Sequence, residues 1–255
     1  MSDYNAAVRP RFHLATFDRD ALRGTLIDDE ASHLIRVLRM GIGAEVDVFD
    51  GRGGMFRASV SALARDAVSV TIVEEVAPAP EPVVAVTVAM SVLKGDKMDA
   101  VVRDVTMMGA VKIQPVISKR SETSLMALAR AHRIDRWQRI AVSSVKQCGR
   151  AVVPDIATPV SLETFLRSAP STAGSRADKL ALVEPAAGEG RLFSEIARLP
   201  RLHLLVGPEG GWSPDELTMM ASAGVTSVSL GGRTLRGETA PLVALAALYE
   251  AWRAW

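Results

Sequence analysis

One cysteine, Cys148, in a chain of 255 residues has no partner within the molecule, which excludes an internal disulfide framework and a cysteine-based metal cluster. The four histidines, His13, His33, His132 and His203, are too scattered for the paired spacings of a zinc site, so no metal is expected. Long apolar runs are missing too: the longest uncharged one, 82–93, is too short to cross a bilayer. The first ten residues, MSDYNAAVRP, lack the charged-then-apolar pattern of a secretion signal. These absences predict a soluble, cytoplasmic protein without a membrane partner. Phosphate loops of known spacing, GxxxxGK[ST] or GxGxxG behind a strand, are absent, and there is no internal repeat.

What is there is 48% apolar residues, enough to core one large domain or two ordinary ones. A net charge of +1 hides an uneven distribution: net −3 over 1–80, net +7 over 94–150 and net −2 over 151–255. The middle block is basic enough to contact phosphates, although a solvated helix face would look the same.

The acidic, proline-dense stretch EEVAPAPEP, 74–82, predicts a domain boundary. Before it, alternating runs at 45–49, 55–60 and 68–73, with a turn at 50–54, predict a small β domain over 1–75. A short helix over 31–40 would carry His33, Arg36 and Arg39 on a polar face. After a linker at 76–82, strands alternate with amphipathic helices through 83–255. Strands are expected at 83–92, 112–117, 180–184, 202–206 and 227–230. Helices are expected at 98–108, 134–148, near 192–199, from Ser213, and from about Thr239 to Trp252. Such alternation predicts an α/β domain with a parallel sheet covered on both faces. The stretch SAPSTAGSR, 168–176, reads as a flexible surface loop.

LVGPEGGWSPDE, 205–216, places three glycines, a proline and a carboxylate between a buried strand and a helix start. Ser213 can cap that helix, Pro214 fits its first position, and Glu216 completes a capping box. Glycines there let backbone approach a ligand at the tip of a parallel strand. A tight glycine-rich turn is the plainer alternative. A second strand tip repeats the pattern with LGGRTLRGETA, 230–240, which suggests one pocket shared by two loops.

The pair of loops, GPEGGWSPDE followed by LGGRTLRGETAPLVAL, resembles the signature of the SPOUT RNA methyltransferases, and within them the RsmE family. The likeness runs nearly end to end, through RPRF at 9–12, HLIRVLR at 33–39, KGDKM at 94–98, RW at 136–137, QCGR at 147–150 and Pro154. It implies a PUA-like β-barrel followed by a SPOUT domain with a C-terminal trefoil knot, acting as a homodimer. It implies S-adenosylmethionine as cofactor and N3 of a uridine in 16S rRNA, or in the small ribosomal subunit, as target. The implied cofactor residues are Leu182, Glu184, Val206, Gly207, Pro208, Glu209, Gly210, Gly211, Leu230, Gly231, Leu235, Arg236 and Thr239. RNA contacts are expected from Arg9, Arg11, His33, Arg36, Arg39, Lys94, Lys97, Arg120 and Arg150. Three positions depart from the family pattern: Asp104 stands for a usual Lys, and Met107 and Lys146 each for a usual Glu. The opposite changes at Met107 and Lys146 read as one structural swap that leaves both loops intact.

Methyl transfer from a sulfonium is an in-line displacement that depends on positioning. Uridine N3 must lose its proton, leaving negative charge shared with O2 and O4. Arg236 is the candidate to stabilise that charge, and Glu238 the candidate base or orienting group, although a first-turn carboxylate also simply suits a helix N-terminus. Glu209 and Arg233 either brace the loops or touch substrate. Trp212 and Trp252 can stack on bases, although Trp252, in an apolar helix, suits a core or dimer interface. Two alternatives remain open at this point: a noncatalytic RNA-binding protein of small-subunit assembly, and a nucleotide-dependent enzyme using the glycine loops for phosphate, which lacks the expected lysine.

Overall fold

The computed structural model describes residues 9–168, 178–188 and 190–255. Beyond its first residue, the expected surface loop at 168–176 lies outside the described residues. The chain divides into two compact units, Met1–Pro80 with Val145–Val153, and Glu81–Ser144 with Pro154–Trp255.

The first unit holds β1 (Arg11–His13), β2 (Thr16–Asp18), β3 (Arg23–Ile27), α1 (Asp28–Ser32), β4 (Glu45–Phe49), β5 (Met55–Leu63) and β6 (Ala67–Glu75). Its sheet runs β1-β4-β5-β6-β3-β2, antiparallel except where β1 pairs with β4. Alternation does what it should: Phe56, Ala58 and Val60 of β5 and Val68, Val70 and Ile72 of β6 point into one core with Phe12, Leu26, Val46 and Val48. Each such aliphatic or aromatic side chain contributes about 1.5–3 kcal/mol. The turn at 50–54 is held by Asp50, whose Oδ1 accepts from the Arg52 N–H (2.8 Å) and the Gly54 N–H (2.9 Å).

The helix expected at 31–40 begins and ends earlier. Asp28, Asp29 and Glu30 occupy its first turn, where acidic residues offset the free N–H groups. A π turn, His33–Val37, follows, with the Leu38 N–H bonded to the His33 carbonyl at 3.0 Å. Arg39 then adopts φ +52°, which stops the helix.

The second unit carries β7 (Ala85–Ser91), α2 (Lys97–Met107), β8 (Lys112–Ile117), α3 (Leu125–Arg130), α4 (Arg133–Cys148, its last turn grouped with the first unit), β9 (Asp155–Ile156), β10 (Val160–Ser161), α5 (Leu162–Ser168), β11 (Asp178–Leu182), β12 (Arg201–Val206), α6 (Pro214–Ser222), β13 (Thr226–Val228) and α7 (Ala240–Trp252). Its strands run β10-β8-β7-β12-β11-β13, with β9 also on β8, and every pairing is parallel. A sheet of this kind is covered on both faces, and Val86, Val88, Ala89, Met90, Leu204 and Leu205 are accordingly buried.

The helix expected near 192–199 is replaced by a single 3-10 turn, Phe193–Glu195. The indole N–H of Trp252 donates to the carbonyls of Phe193 (3.1 Å) and Ile196 (3.0 Å), which ties this turn to α7. Pro200 restricts the residue before it as well. Trp252 is thus a core residue of α7. The last strand stops at Val228, which leaves Leu230 in the loop.

Candidate active site

Three strand ends of the second unit, those of β11, β12 and β13, open into one cleft of about 560 Å³. Leu182, Val183, Glu184 and Pro185 line it after β11, and Val206, Gly207, Pro208, Glu209, Gly211 and Trp212 after β12. The β13 side adds Leu230, Gly231, Arg233, Thr234, Leu235, Gly237 and Ala240.

The loop after β12 is fixed at both ends. The Gly211 N–H bonds to the Pro208 carbonyl at 2.9 Å, and Gly211 sits at φ +66°. A Cβ there would stand 2.8 Å from Glu184 Oε1, a side-chain end that can shift, so it is the conformation that calls for glycine. At Gly207 a Cβ would press on the Trp212 ring at 3.2 Å. Trp212 itself is buried and donates its indole N–H to the Leu182 carbonyl at 3.0 Å. It therefore ties the β12 loop to the end of β11 and is no exposed platform for a base.

The capping box forms: the Glu216 N–H donates to Ser213 Oγ (3.3 Å) and the Ser213 N–H to Glu216 Oε2 (2.8 Å). Glu216 also accepts from the Lys119 N–H at 2.7 Å, and Arg120 Nη1 donates to the carbonyl of Gly210 at 2.5 Å. Glu209 accepts from the Lys94 N–H (3.3 Å) and from Lys97 Nζ (3.0 Å). Burial opposes its charge, but these bonds and one from its own N–H outweigh that and hold the carboxyl below its ordinary range. Glu209 braces the loop.

Across the cleft, the Gly231 N–H bonds to Ser229 Oγ at 3.1 Å with φ +96°, and the N–H groups of Thr239 and Ala240 both bond to the Arg236 carbonyl at 2.9 Å as α7 begins. Arg236 is exposed and Glu238 half-buried, and neither lines the cleft. Oε2 of Glu238 is buried without a hydrogen-bond partner among the described residues.

Ten of the thirteen residues expected at the cofactor line the cleft, and Gly210, Arg236 and Thr239 stand outside it. Not foreseen were Val183, Pro185, Trp212, Arg233, Thr234, Gly237 and Ala240. Arg233, Thr234 and Gly237 lie inside the second glycine-rich stretch, so contiguity alone was a signal for them. Val183 and Pro185 adjoin the expected Leu182 and Glu184, so contiguity was the signal for them too.

The expected RNA contacts divide. Lys94 and Lys97 meet at Glu209, and Arg120 is held at the same loop. In the first unit, Arg9 pairs with Glu45 at 2.9 Å and Arg36 with Asp66 at 3.8 Å. Arg39 is exposed, and His33 is half-buried with its ring 5.8 Å from that of Phe12. Arg11 and Arg150 require correction. Arg11 donates to the carbonyls of Val145 (3.0 Å), Lys146 (2.7 Å) and Arg150 (2.6 Å), which satisfies the end of α4, and Arg150 is 3% exposed. Arg11 points inward because those carbonyls need donors, and Arg150 is buried. The swap read at Met107 and Lys146 is corrected too, since Lys146 Nζ finds Glu30 Oε1 at 2.8 Å, with both side chains largely buried.

Residues 79–249 match the family described as RNA methyltransferase domain, and residues 26–73 match the RNA methyltransferase PUA domain. The chain is 33% identical to a ribosomal RNA small subunit methyltransferase E of Synechocystis sp., over 87% of this chain and 71% of that one. To the protein of the same name in Bacillus subtilis it is 28% identical over 88% of each. A crystal structure of ribosomal RNA small subunit methyltransferase E from Neisseria gonorrhoeae bound to S-adenosyl methionine superposes with a TM-score of 0.83 at 32% identity, covering 96% of this chain and 98% of that one.

Proposed function

Because the chain belongs to the RNA methyltransferase family, we propose that it methylates N3 of a uridine in 16S rRNA of the small ribosomal subunit, with S-adenosylmethionine as methyl donor. The observation that carries the reading is the cleft at the ends of β11, β12 and β13, where Gly207, Gly211, Gly231 and Gly237 of two loops bring backbone to its wall. The cofactor would be held by Leu182, Glu184, Val206, Gly207, Pro208, Glu209, Gly211, Leu230, Gly231 and Leu235, which line the cleft. Loop N–H and C=O groups suit its adenine and ribose, and Glu184 suits a ribose hydroxyl. When bound, it supplies an electrophilic methyl group on a sulfonium.

The chain's own residues do the rest. Arg236, exposed next to the cleft, stabilises the charge left on the uracil oxygens as N3 loses its proton. Glu238, with a buried unpartnered oxygen, orients Arg236 or accepts that proton. Residues 1–75, matched in part by the PUA domain, bind RNA through Arg9, His33, Arg36 and Arg39, and residues 83–255 form the methyltransferase domain, with Lys94, Lys97 and Arg120 near its cleft. Resemblance to the SPOUT enzymes supports a trefoil knot through the two glycine-rich loops. The half-exposed apolar face of α7, with Leu242, Val243, Ala246 and Ala247, supports a homodimer. No helix among the described residues is long and apolar enough to cross a membrane, and the proposed ribosomal target supports a cytoplasmic location.

Calorimetric titration separates the readings. S-adenosylmethionine should bind with one site per chain and ATP should not. Binding of ATP alone would favour nucleotide chemistry, and binding of neither would favour a noncatalytic assembly factor.

A further inference from the structure

In the first unit, the segment between α1 and β4 leaves apolar side chains in solvent. Val37 is 67% exposed, Leu38 39% and Ile42 70%, all on one short loop. Single exposed aliphatics are ordinary, whereas a cluster of them marks a contact surface. The same segment also feeds the core, since Leu34 is buried and Ile35, Met40 and Ala44 pack against the cluster around Phe12 and Val48. The fold uses those residues and leaves Val37, Leu38 and Ile42 without a packing role.

The loop is held in place. The N–H groups of Leu38, Met40, Gly43 and Ala44 bond to the carbonyls of His33 (3.0 Å), Leu34 (3.2 Å), Val60 (2.8 Å) and Gly41 (3.1 Å). Arg39, at φ +52°, keeps a left-handed conformation that a residue with a Cβ adopts only where its surroundings impose it. The tip stands clear: among the described residues, a Cβ on Gly41 or Gly43 would meet no atom within 4 Å. A fixed backbone loses less entropy when a partner covers the loop. Cations stand among the apolar residues. Arg36 and Arg39 are exposed, and Arg36 meets Asp66 only at 3.8 Å, through two side chains each more than 60% exposed. Such a pair holds weakly, so a phosphate can displace Asp66.

We propose that Val37, Leu38 and Ile42 press against the faces of unpaired bases of the substrate RNA while Arg36 and Arg39 hold the flanking phosphates. The inference rests on the RNA methyltransferase reading and adds how the first unit tells unpaired RNA from duplex. Phosphates are present in both and carry no such information. Base faces are covered in a duplex and open in a loop or bulge, where proteins read RNA. Aliphatic side chains act as wedges at base steps in other nucleic-acid complexes. Salt separates the two contributions, because cations on phosphates release counterions and apolar contact does not.

Three double variants test this. Val37→Ser with Ile42→Ser removes the apolar tips, Val37→Ile with Ile42→Leu keeps them apolar, and Arg36→Ala with Arg39→Ala removes the cations. Unchanged melting temperatures check their folding. Binding to unmodified 16S rRNA is measured by filter retention across a range of KCl concentrations, with unpaired poly(U) and duplex poly(A)·poly(U) as competitors. The serine variant should bind about tenfold more weakly at every salt, with an unchanged salt slope, and should lose the wild type's preference for poly(U). The conservative variant should match the wild type, and the alanine variant should lower the slope by roughly 0.7–0.9 per lost phosphate contact. Wild-type affinity in the serine variant, a changed slope, or a surviving preference for poly(U) overturns the proposal. So does a serine variant that keeps its RNA affinity but changes in mass by light scattering, which would make the loop a contact between copies of the chain. A parallel methylation assay on the same RNA keeps the two ideas apart. If the wild type methylates it and the serine variant binds it as tightly, the base contact is wrong and the activity stands. If the wild type methylates no RNA while binding still depends on Val37 and Ile42, the activity is wrong and the base contact stands.

Discussion

In the proposed mechanism, Arg236 is the residue on which the chemistry turns. Its carbonyl is fixed by two N–H groups at the start of α7 while its side chain remains exposed, so the backbone is held and the guanidinium is left to the substrate. Charge on uracil appears only as N3 is deprotonated, so a group that meets it acts on turnover more than on binding. Arg236→Ala should lower kcat roughly 100-fold with cofactor affinity little changed, and Arg236→Lys should recover little of it. Single-turnover methylation at saturating RNA and cofactor checks this, and a well-folded Ala variant with near wild-type rate would dismiss Arg236. A second residue sets a pH limit. His203 of β12 lies in a cross-strand row with Thr87, Lys112 and Lys179, its Nδ1 buried without a hydrogen-bond partner among the described residues. Burial first, then Lys179 and Lys112, depress its pKa below the ordinary value of about 6.5. The folded state therefore prefers the neutral ring. Its contribution to stability is complete above pH ~6.5 and is lost as pH falls through the lower, folded value. Thermal melts from pH 7.5 to 5 should show this loss, and His203→Gln should flatten it. An unchanged slope in the variant would assign the acid sensitivity elsewhere, with His13, similarly depressed by burial, the next group to test.

At the scale of elements, the loop after β8 acts as a strap on the loop after β12. Lys119 and Arg120 reach Glu216 and Gly210, which fixes the backbone that faces the cofactor cleft. Arg120→Ala should weaken S-adenosylmethionine roughly tenfold, the scale of one lost charge-assisted hydrogen bond. If only RNA affinity changed, Arg120 would belong to the RNA surface expected for it from sequence. Ser213→Ala should cost about 1 kcal/mol of stability, measured by denaturant unfolding, because it removes an N-cap acceptor from α6. An effect within error would mean that Glu216, held also by Lys119, suffices alone. This helix start was legible because cap, proline and carboxylate are local in sequence. The turn at Phe193–Glu195 was not, because the indole that ties it down belongs to Trp252, far along the chain.

At the scale of the molecule, the parallel sheet could be read from alternating apolar strands and amphipathic helices, and the site from two glycine-rich strand tips. Short elements such as β9 and β10 escaped notice because two residues hold no periodicity. The inward turn of Arg11 escaped notice for another reason: its acceptors are carbonyls of 145–150, which no pattern near Arg11 announces. A basic block in the sequence is thus not one basic surface, since Arg150 and Lys146 are spent inside the first unit. What unites the account is methyl transfer to one nitrogen of one base. The most direct measurement is mass spectrometry of nuclease-digested 16S rRNA, unmodified at the outset, after incubation with the purified protein and S-adenosylmethionine carrying a deuterated methyl group. The account predicts one deuterated 3-methyluridine per RNA, absent when the protein is omitted. Label on a ribose oxygen, on another base or on no nucleotide at all would contradict it.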